Sequence, residues 1–195
     1  MKKYNQAINE ILQVLGEQIV EGDLSIEGIY EAEQADLNIE IVKEEILSEG
    51  WSFNTDTNWE FSPDTDNYIV IPTTVLRVDP SVQGNDIIRK DGKLYDKGNF
   101  TYKFNTSVSC DVIWNLDFDD LPLIAQRYIT LRAARITYQR LIGDNSTLEI
   151  LLRDEDQALL KLRQHEDDIQ DYNIFDDTTV SRIITRTANP TGLRG

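Results

Sequence analysis

Few side chains in this sequence have the types and spacing that catalysis or metal binding requires. The single histidine, His165, lies between Gln164 and Glu166 on the polar side of a predicted helix, with no obvious nucleophile near it. We therefore interpret it as a surface residue rather than a general base. Cys110 is the only cysteine and lies in a predicted strand, which favours a small core residue over a reactive thiolate. One cysteine and one histidine cannot form a zinc cluster or an internal disulfide, so the sequence predicts no metal, redox centre or other cofactor.

Two close carboxylate pairs, Asp64 with Asp66 and Asp119 with Asp120, have the residue types of a glycosidase site. The chain contains 35 acidic residues, however, so close pairs arise by chance. Each pair is explained more simply as a turn or a helix cap, where aspartate is favoured. The sequence has no glycine-rich phosphate loop and no nucleophile elbow. The residues alone therefore indicate an interaction protein rather than an enzyme.

The charge balance narrows the classes of partner. The 195 residues include 19 Lys and Arg against 35 Asp and Glu, a net charge of −16. Such a surface repels phosphates, which argues against tight, sequence-specific binding of nucleic acid. A duplex can still pass along the surface without adhering. No run approaches the roughly 18 apolar residues of a membrane span, and acidic residues interrupt the first residues before the apolar core of a signal peptide forms. We expect an acidic protein assembled inside the cell, without membrane insertion.

The first fifty residues predict two helices. Residues 4–15 repeat apolar side chains every three to four positions, and the pattern ends at Gly16. Residues 30–49 carry a narrow apolar stripe at alternating three- and four-residue steps, which is typical of helix–helix seams. The stripe comprises Ala32, Ala35, Ile39, Val42 and Ile46. Leu37 and Ile41 lie off this stripe, and we interpret them as a second contact surface.

Residues 51–117 predict a compact antiparallel β-domain. Short β-branched and aromatic runs alternate with Pro, Gly and Asp turn residues. Asp91-Gly92 separates two of these runs and is the strongest hairpin signal in the chain. The predicted strands are Trp59–Phe61, Tyr68–Ile71, Val75–Val78, Ile87–Arg89, Lys93–Tyr95, Phe100–Phe104 and Val108–Trp114.

A third helix is predicted over Leu121–Gly143, with Pro122 in its first turn and Gly143 at its end. Its apolar residues point in most directions, which is typical of a buried helix. The same helix carries four arginines, Arg127, Arg132, Arg135 and Arg140. Because arginine is seldom buried without a partner, we expect neighbouring subunits to supply acidic partners. The alternative is an ordinary core helix whose arginines extend to water.

A fourth helix is predicted from Thr147 to about Tyr172. The element order predicts an α+β fold, in which a four-helix bundle (residues 1–50 and 118–175) contains an antiparallel β-domain (51–117) inserted between helices 2 and 3. An extended arm (176–195) follows. In the arm, Ile183 and Ile184 could cover an apolar groove, and Arg182 and Arg186 could bind acids on another chain. A disordered terminus is the alternative.

Five segments, in this order, resemble one known family. They are Ala7–Glu17 (AINEILQVLGE), Ile46–Asn54 (ILSEGWSFN), Leu94–Asp96, the Leu121–Gly143 helix and Asp171–Phe175 (DYNIF). Within the helix the similar positions are Pro122, Arg127-Tyr128, Ala134-Arg135 and Arg140. On these segments the chain resembles the tail tubular protein A family of short-tailed bacteriophages, the head-to-tail adaptor.

The resemblance implies a structural protein of the virion tail, assembled in the cytoplasm of the bacterial host. Such a protein forms a ring of twelve subunits between the portal and the nozzle protein, tail tubular protein B. The ring supports tail fibres or spikes, and double-stranded DNA passes through its channel without sequence-specific binding. The helical part faces the portal, and the C-terminal arm embraces it. By position and composition the arm residues are Val180, Arg182, Ile183, Ile184 and Arg186. The subunit-interface residues are Arg127, Arg132, Arg135, Arg140, Leu37 and Ile41.

Two other functions stay open at this stage. The first is a tail-associated hydrolase of cell-envelope or capsular polysaccharide, in which Trp51, Trp59 and Trp114 stack on sugars. Tryptophans also dominate core packing, which is the simpler explanation. The second is a free-standing β-domain module that binds a host or fibre protein.

Overall fold

The computed structural model describes residues 3–20, 26, 28–81 and 86–176, with residues 170–176 described as backbone only. Helices α1 (Lys3–Leu15) and α2 (Tyr30–Leu47) precede five strands, and helices α3 (Leu123–Leu141) and α4 (Asn145–Asp176) follow them. The strands are β1 (Thr55–Phe61), β2 (Val75–Pro80), β3 (Ile87–Lys90), β4 (Lys93–Asp96) and β5 (Val108–Trp114). The predicted mixture of helices and antiparallel strands is confirmed.

The apolar faces of α1 and α2 form one core with α3. In α1, Ile11 and Leu12 are fully buried, and the predicted stripe of α2 is buried along its whole length. The core extends to Trp51, whose indole Nε1 donates to the carbonyl oxygen of Ile46 at 2.9 Å. Burying a side chain such as Ile11 or Leu12 contributes about 1.5–3 kcal/mol to the stability of the folded chain. The periodicity of the sequence therefore sets which side of α1 and α2 faces inward.

The helix α3 lies at the centre, in contact with α1, α2 and α4. Its small polar strip, at Gln126, Thr130, Ala133 and Thr137, is buried. The hydroxyls of Thr130 and Thr137 donate to carbonyl oxygens four residues earlier, and the amide of Asn38 donates to Thr137 Oγ1 at 2.9 Å. These bonds satisfy the polar atoms, as burial requires. The strip that lacks large apolar residues is therefore a buried contact surface, whereas Ile124, Leu131 and Ile136 are half-buried.

The long helix α4 packs mainly against α3. Asp144 caps its N-terminus, because the Asp144 carboxylate accepts hydrogen bonds from the backbone N–H and the hydroxyl of Thr147. Near the other end, the Glu166 carboxylate accepts from the backbone N–H of Ser52 at 3.0 Å and from its hydroxyl at 2.9 Å. These contacts connect α4 to the short 3₁₀ turn Ser52–Asn54 that leads into the strands.

The strands form two small sheets. The first is antiparallel with the order β1-β5-β2, and the second is the β3–β4 hairpin. Asp91 and Gly92 both have positive φ, 52° and 72°, as a type I′ hairpin turn requires. The strands have their own core of ten buried residues: Phe61, Ile69, Ile71, Val75, Val78, Ile87, Leu94, Phe104, Cys110 and Val112.

Two predicted strands are wrong. The runs Tyr68–Ile71 and Phe100–Phe104 form only isolated bridges, in which Tyr68 pairs with Lys103 and Val70 with Lys93. Asn67 and Phe100 have positive φ, 66° and 54°. Asn67 directly precedes the first run and Phe100 begins the second, so the extended backbone of each run starts only after a left-handed residue. Both runs still lie beside the β3–β4 hairpin, and their side chains contribute to its surface.

Candidate functional site

The four arginines of α3 all have partners within the chain. Three of them form ion pairs, Arg127 with Glu10, Arg132 with Glu45 and Arg135 with Glu155. Arg140 donates to the side-chain oxygen of Asn38. The partners that we expected from neighbouring subunits are therefore present within one subunit, and a role of these arginines in subunit contacts stays a prediction. Acids on α1, α2 and α4 face α3 from three sides, which no pattern within the α3 sequence could reveal.

The pairs differ in burial. The side chains of Arg135 and Glu155 are only 22% and 9% exposed, and Nε and Nη2 of the guanidinium donate to the two carboxylate oxygens. Such two-point pairs are the strong ones. Arg127 and Glu10 are 53% and 50% exposed, where an ion pair contributes little. Arg135 is thus fixed in the subunit, whereas Arg127 stays available at the surface.

Arg127 and Glu10 line an open groove between α1 and α3. Its volume is about 210 Å³, and Lys3, Phe118 and Leu123 also line it. The side chain of Leu123 is largely exposed at its edge. The groove combines an apolar wall with both charge signs, which suits contact with another protein.

Leu37 and Ile41 lie on the exposed side of α2, about half exposed each. Tyr30, Glu33 and Glu44 share that side of the helix, and all three are exposed. We call these five residues the outer α2 face. Exposed apolar groups surrounded by acids are typical of an interaction surface rather than of a solvated helix. Their assignment to a second contact surface stays a prediction.

Of the residues considered for catalysis, Cys110 and Asp64 have structural roles. Cys110 is fully buried, and burial, with the charges of Asp111 and Asp79, raises the pKa of its thiol to about 11. One oxygen of Asp64 accepts from the backbone N–H groups of Asp66 and Tyr68 in a turn. His165 is half-buried on α4. Within the described part of the chain, no group of three His, Cys, Asp or Glu side chains could hold a metal ion.

The tryptophans do not form a common sugar platform. Trp51 belongs to the helical core, and the indole of Trp114 donates to Asp56 at 2.8 Å. Trp59 is exposed and contacts Trp114 edge to face, with ring centroids 5.4 Å apart. Of the three, Trp59 is exposed, Trp114 is half-buried and Trp51 is buried.

A basic and aromatic surface on the hairpin was missed by reading the sequence. Strand alternation and the two bridges place seven side chains on one side of the β3–β4 hairpin. They are Tyr68, Val70, Ile88, Lys90, Lys93, Tyr95 and Lys103. We call this set the lysine–tyrosine face. The alternation Ile88-Arg-Lys90 and Lys93-Leu-Tyr95 is visible in the sequence, but the pairing that joins it to Tyr68 and Lys103 is not.

The predicted portal-binding arm lies outside the described residues. This applies to Val180, Arg182, Ile183, Ile184 and Arg186. None of the helices that the structure describes is long and apolar enough to cross a membrane.

Comparison with known proteins finds similarity over most of the chain. A family model described as tail tubular protein matches residues 5–172, which include α2, α3, the five described strands and most of α1 and α4. Tail tubular protein A of Klebsiella phage KP34 is 28% identical over 121 residues. That alignment covers 62% of this chain and 64% of the relative, so it spans just under two thirds of the relative's length. The match over nearly the whole described chain shows that the protein belongs to the tail tubular protein family.

Proposed function

We propose that this chain is the head-to-tail adaptor of a short-tailed phage, a structural protein of the virion tail. Twelve copies form a ring that joins the portal to the nozzle, supports fibres or spikes, and surrounds the channel for DNA ejection. The family match over residues 5–172 carries the proposal, because it includes both the helical and the β-rich parts. Assembly takes place in the cytoplasm of the bacterial host.

In this proposal the four helices act as one bundle that faces the portal and the neighbouring subunits. The β-strands form the part inserted between the second and third helices. Leu37 and Ile41 supply exposed apolar area for the subunit contact, and Arg127 and Arg140 add exposed guanidinium groups. Arg132 and Arg135 act mainly by positioning α3 within its own subunit, because each already binds an acid there. The arm from Val180 to Arg186 holds the portal.

The charge of the chain suits a DNA channel. Twelve copies of a chain with a net charge of −16 present a strongly acidic ring. Like charge repels the phosphates over the Debye length of about 8 Å at physiological salt, so a duplex that passes close to the wall does not adhere. We do not extend the proposal to polysaccharide hydrolysis, since Trp51 is a core residue and the Asp64 carboxylate is occupied in its turn.

Electron microscopy of the purified protein, alone and with the portal protein of the same phage, tests the proposal. We expect ring-shaped particles that bind the portal, with twelvefold symmetry in class averages. Mass photometry on the same samples gives the subunit number independently. A monomer that stays monomeric and ignores the portal would overturn the proposal and would favour a free-standing binding module.

A further inference from the structure

The lysine–tyrosine face concentrates positive charge on a strongly acidic chain. Lys93 Nζ lies 4.1 Å from the centre of the Tyr68 ring, and Lys103 Nζ lies 5.9 Å from the same ring. Lys90 Nζ lies 4.8 Å from the centre of the Tyr95 ring. These cation–π contacts place three ammonium groups beside the two rings. Asp91, in the turn between Lys90 and Lys93, accepts a hydrogen bond from the Tyr102 hydroxyl at 2.9 Å.

This arrangement fits an acidic protein surface better than a nucleic acid. Proteins that bind single strands stack the bases on open aromatic faces, but here lysines lie over the rings of Tyr68 and Tyr95. Val70 and Ile88 are exposed beside the lysines, so the matching surface has exposed apolar groups with acids around them.

The outer α2 face of the chain itself has this chemistry. Leu37 and Ile41 are its exposed aliphatic groups, and it contains no lysine or arginine. Glu33 accepts from the backbone N–H of Gly28 at 2.8 Å, and within the described part of the chain it forms no ion pair with a lysine or arginine. Glu40, at the edge of this face, is paired with Lys43 at 2.7 Å and contributes less.

We propose that the lysine–tyrosine face of one copy binds the outer α2 face of the next copy. The inference rests on the ring of the proposed function and names the surfaces that hold it together. Two different patches on one chain make a heterologous contact, which repeats head to tail and gives a ring when the rotation closes. Opposite charges set the orientation, and the aliphatic groups of both faces supply the buried apolar area.

Paired charge reversals test the contact. One variant carries Lys93→Glu and Lys103→Glu, and the other carries Glu33→Lys and Glu44→Lys. Each alone should weaken self-association at least about a hundredfold, because like charges then face each other across the interface. The equimolar mixture of the two variants should recover assembly, since each reversed face again meets an opposite charge. A control with Arg153→Glu and Lys161→Glu, both exposed on α4, should assemble as the wild type does.

Mass photometry measures assembly, and far-UV circular dichroism checks that each variant melts as the wild type does. The milder change Lys103→Gln should weaken assembly less, and it replaces a double reversal that fails to fold.

If both double variants form rings as readily as the wild type does, this inference is overturned, although the proposed ring is not. Failure of the mixture to recover would reject α2 as the partner. Loss of binding to a short DNA duplex without any change in assembly would assign the lysines to nucleic acid instead. A wild-type monomer, even with portal present, would instead refute the proposed ring.

Discussion

The ion pair between Arg135 and Glu155 joins α3 to α4, and its loss should destabilise the chain strongly. The change Arg135→Ala leaves a carboxylate that is only 9% exposed without its counter-charge. Removing one partner of a buried pair costs about 3–5 kcal/mol, whereas an exposed pair contributes about 0–1 kcal/mol. Because Arg135 itself is 22% exposed, water can reach part of the site, and we expect a cost of about 2–4 kcal/mol.

Thermal and urea unfolding followed by circular dichroism measure this cost. For a chain of this length the expected loss lowers Tm by about 4–16 °C. Since α4 packs mainly against α3, hydrogen exchange should accelerate first in the backbone amides of α4. The double change Arg135→Met with Glu155→Leu should recover most of the stability, because an apolar pair of similar volume replaces a buried ion pair at little cost.

The matched control is Arg127→Ala on the same helix. Arg127 and Glu10 are each about half exposed, so this loss should cost less than about 1 kcal/mol. The reasoning from burial fails if Arg127→Ala and Arg135→Ala destabilise the chain equally. It also fails if the double apolar variant is no more stable than Arg135→Ala alone.

Three further predictions follow from single positions. Gly50→Ala should cost more than Gly16→Ala in urea unfolding: both glycines have φ of +81°, but a Cβ at Gly50 would lie 2.7 Å from Ile113 Cδ1, whereas nothing lies within 4 Å at Gly16. Cys110 should not react with a thiol reagent at pH 8 until the protein is unfolded, because the side chain is buried and its thiol pKa is about 11; rapid labelling of the folded protein would contradict this. Hydrogen bonds from Ser146 and Thr147 lower the pKa of Asp144, so its charged cap stabilises α4 above the usual aspartate pKa of about 3.9 and is lost as pH falls through the lower folded value. The stability difference between wild type and Asp144→Ala, measured by urea unfolding at pH 6 and pH 3, should therefore be larger at pH 6.

The sequence was most informative where a side chain's role depends on local periodicity. The stripe of α2 and the apolar face of α1 are buried as the spacing predicted, because a helix fixes which residues share a side. The Asp91-Gly92 turn was also predictable, since few dipeptides adopt two consecutive positive φ values. Conversely, β-branched composition alone overestimated the strands at Tyr68–Ile71 and Phe100–Phe104. Pairing is a non-local property, and residues with positive φ limited it there.

The candidate surfaces also differ in how far local sequence spacing could reveal them. Leu37 and Ile41 were recognisable because they lie off the buried stripe of their own helix. The lysine–tyrosine face was not, because Tyr68 and Lys103 are brought beside Lys93 by bridges between segments distant in sequence. The partners of Arg135 and Arg132 lie 20 and 87 residues away, so their burial could not be judged from α3 alone.

The sequence by itself determined the helices, the hairpin, the acidic character and the family, because these depend on local spacing, composition and the order of segments. Only the tertiary structure decided what each charge of α3 does. A guanidinium on a helix is a snorkelling group, a structural pair or an interface contact according to which acid faces it and how much water remains. Desolvation and distance set that outcome, and both arise only when α1, α2 and α4 pack around α3.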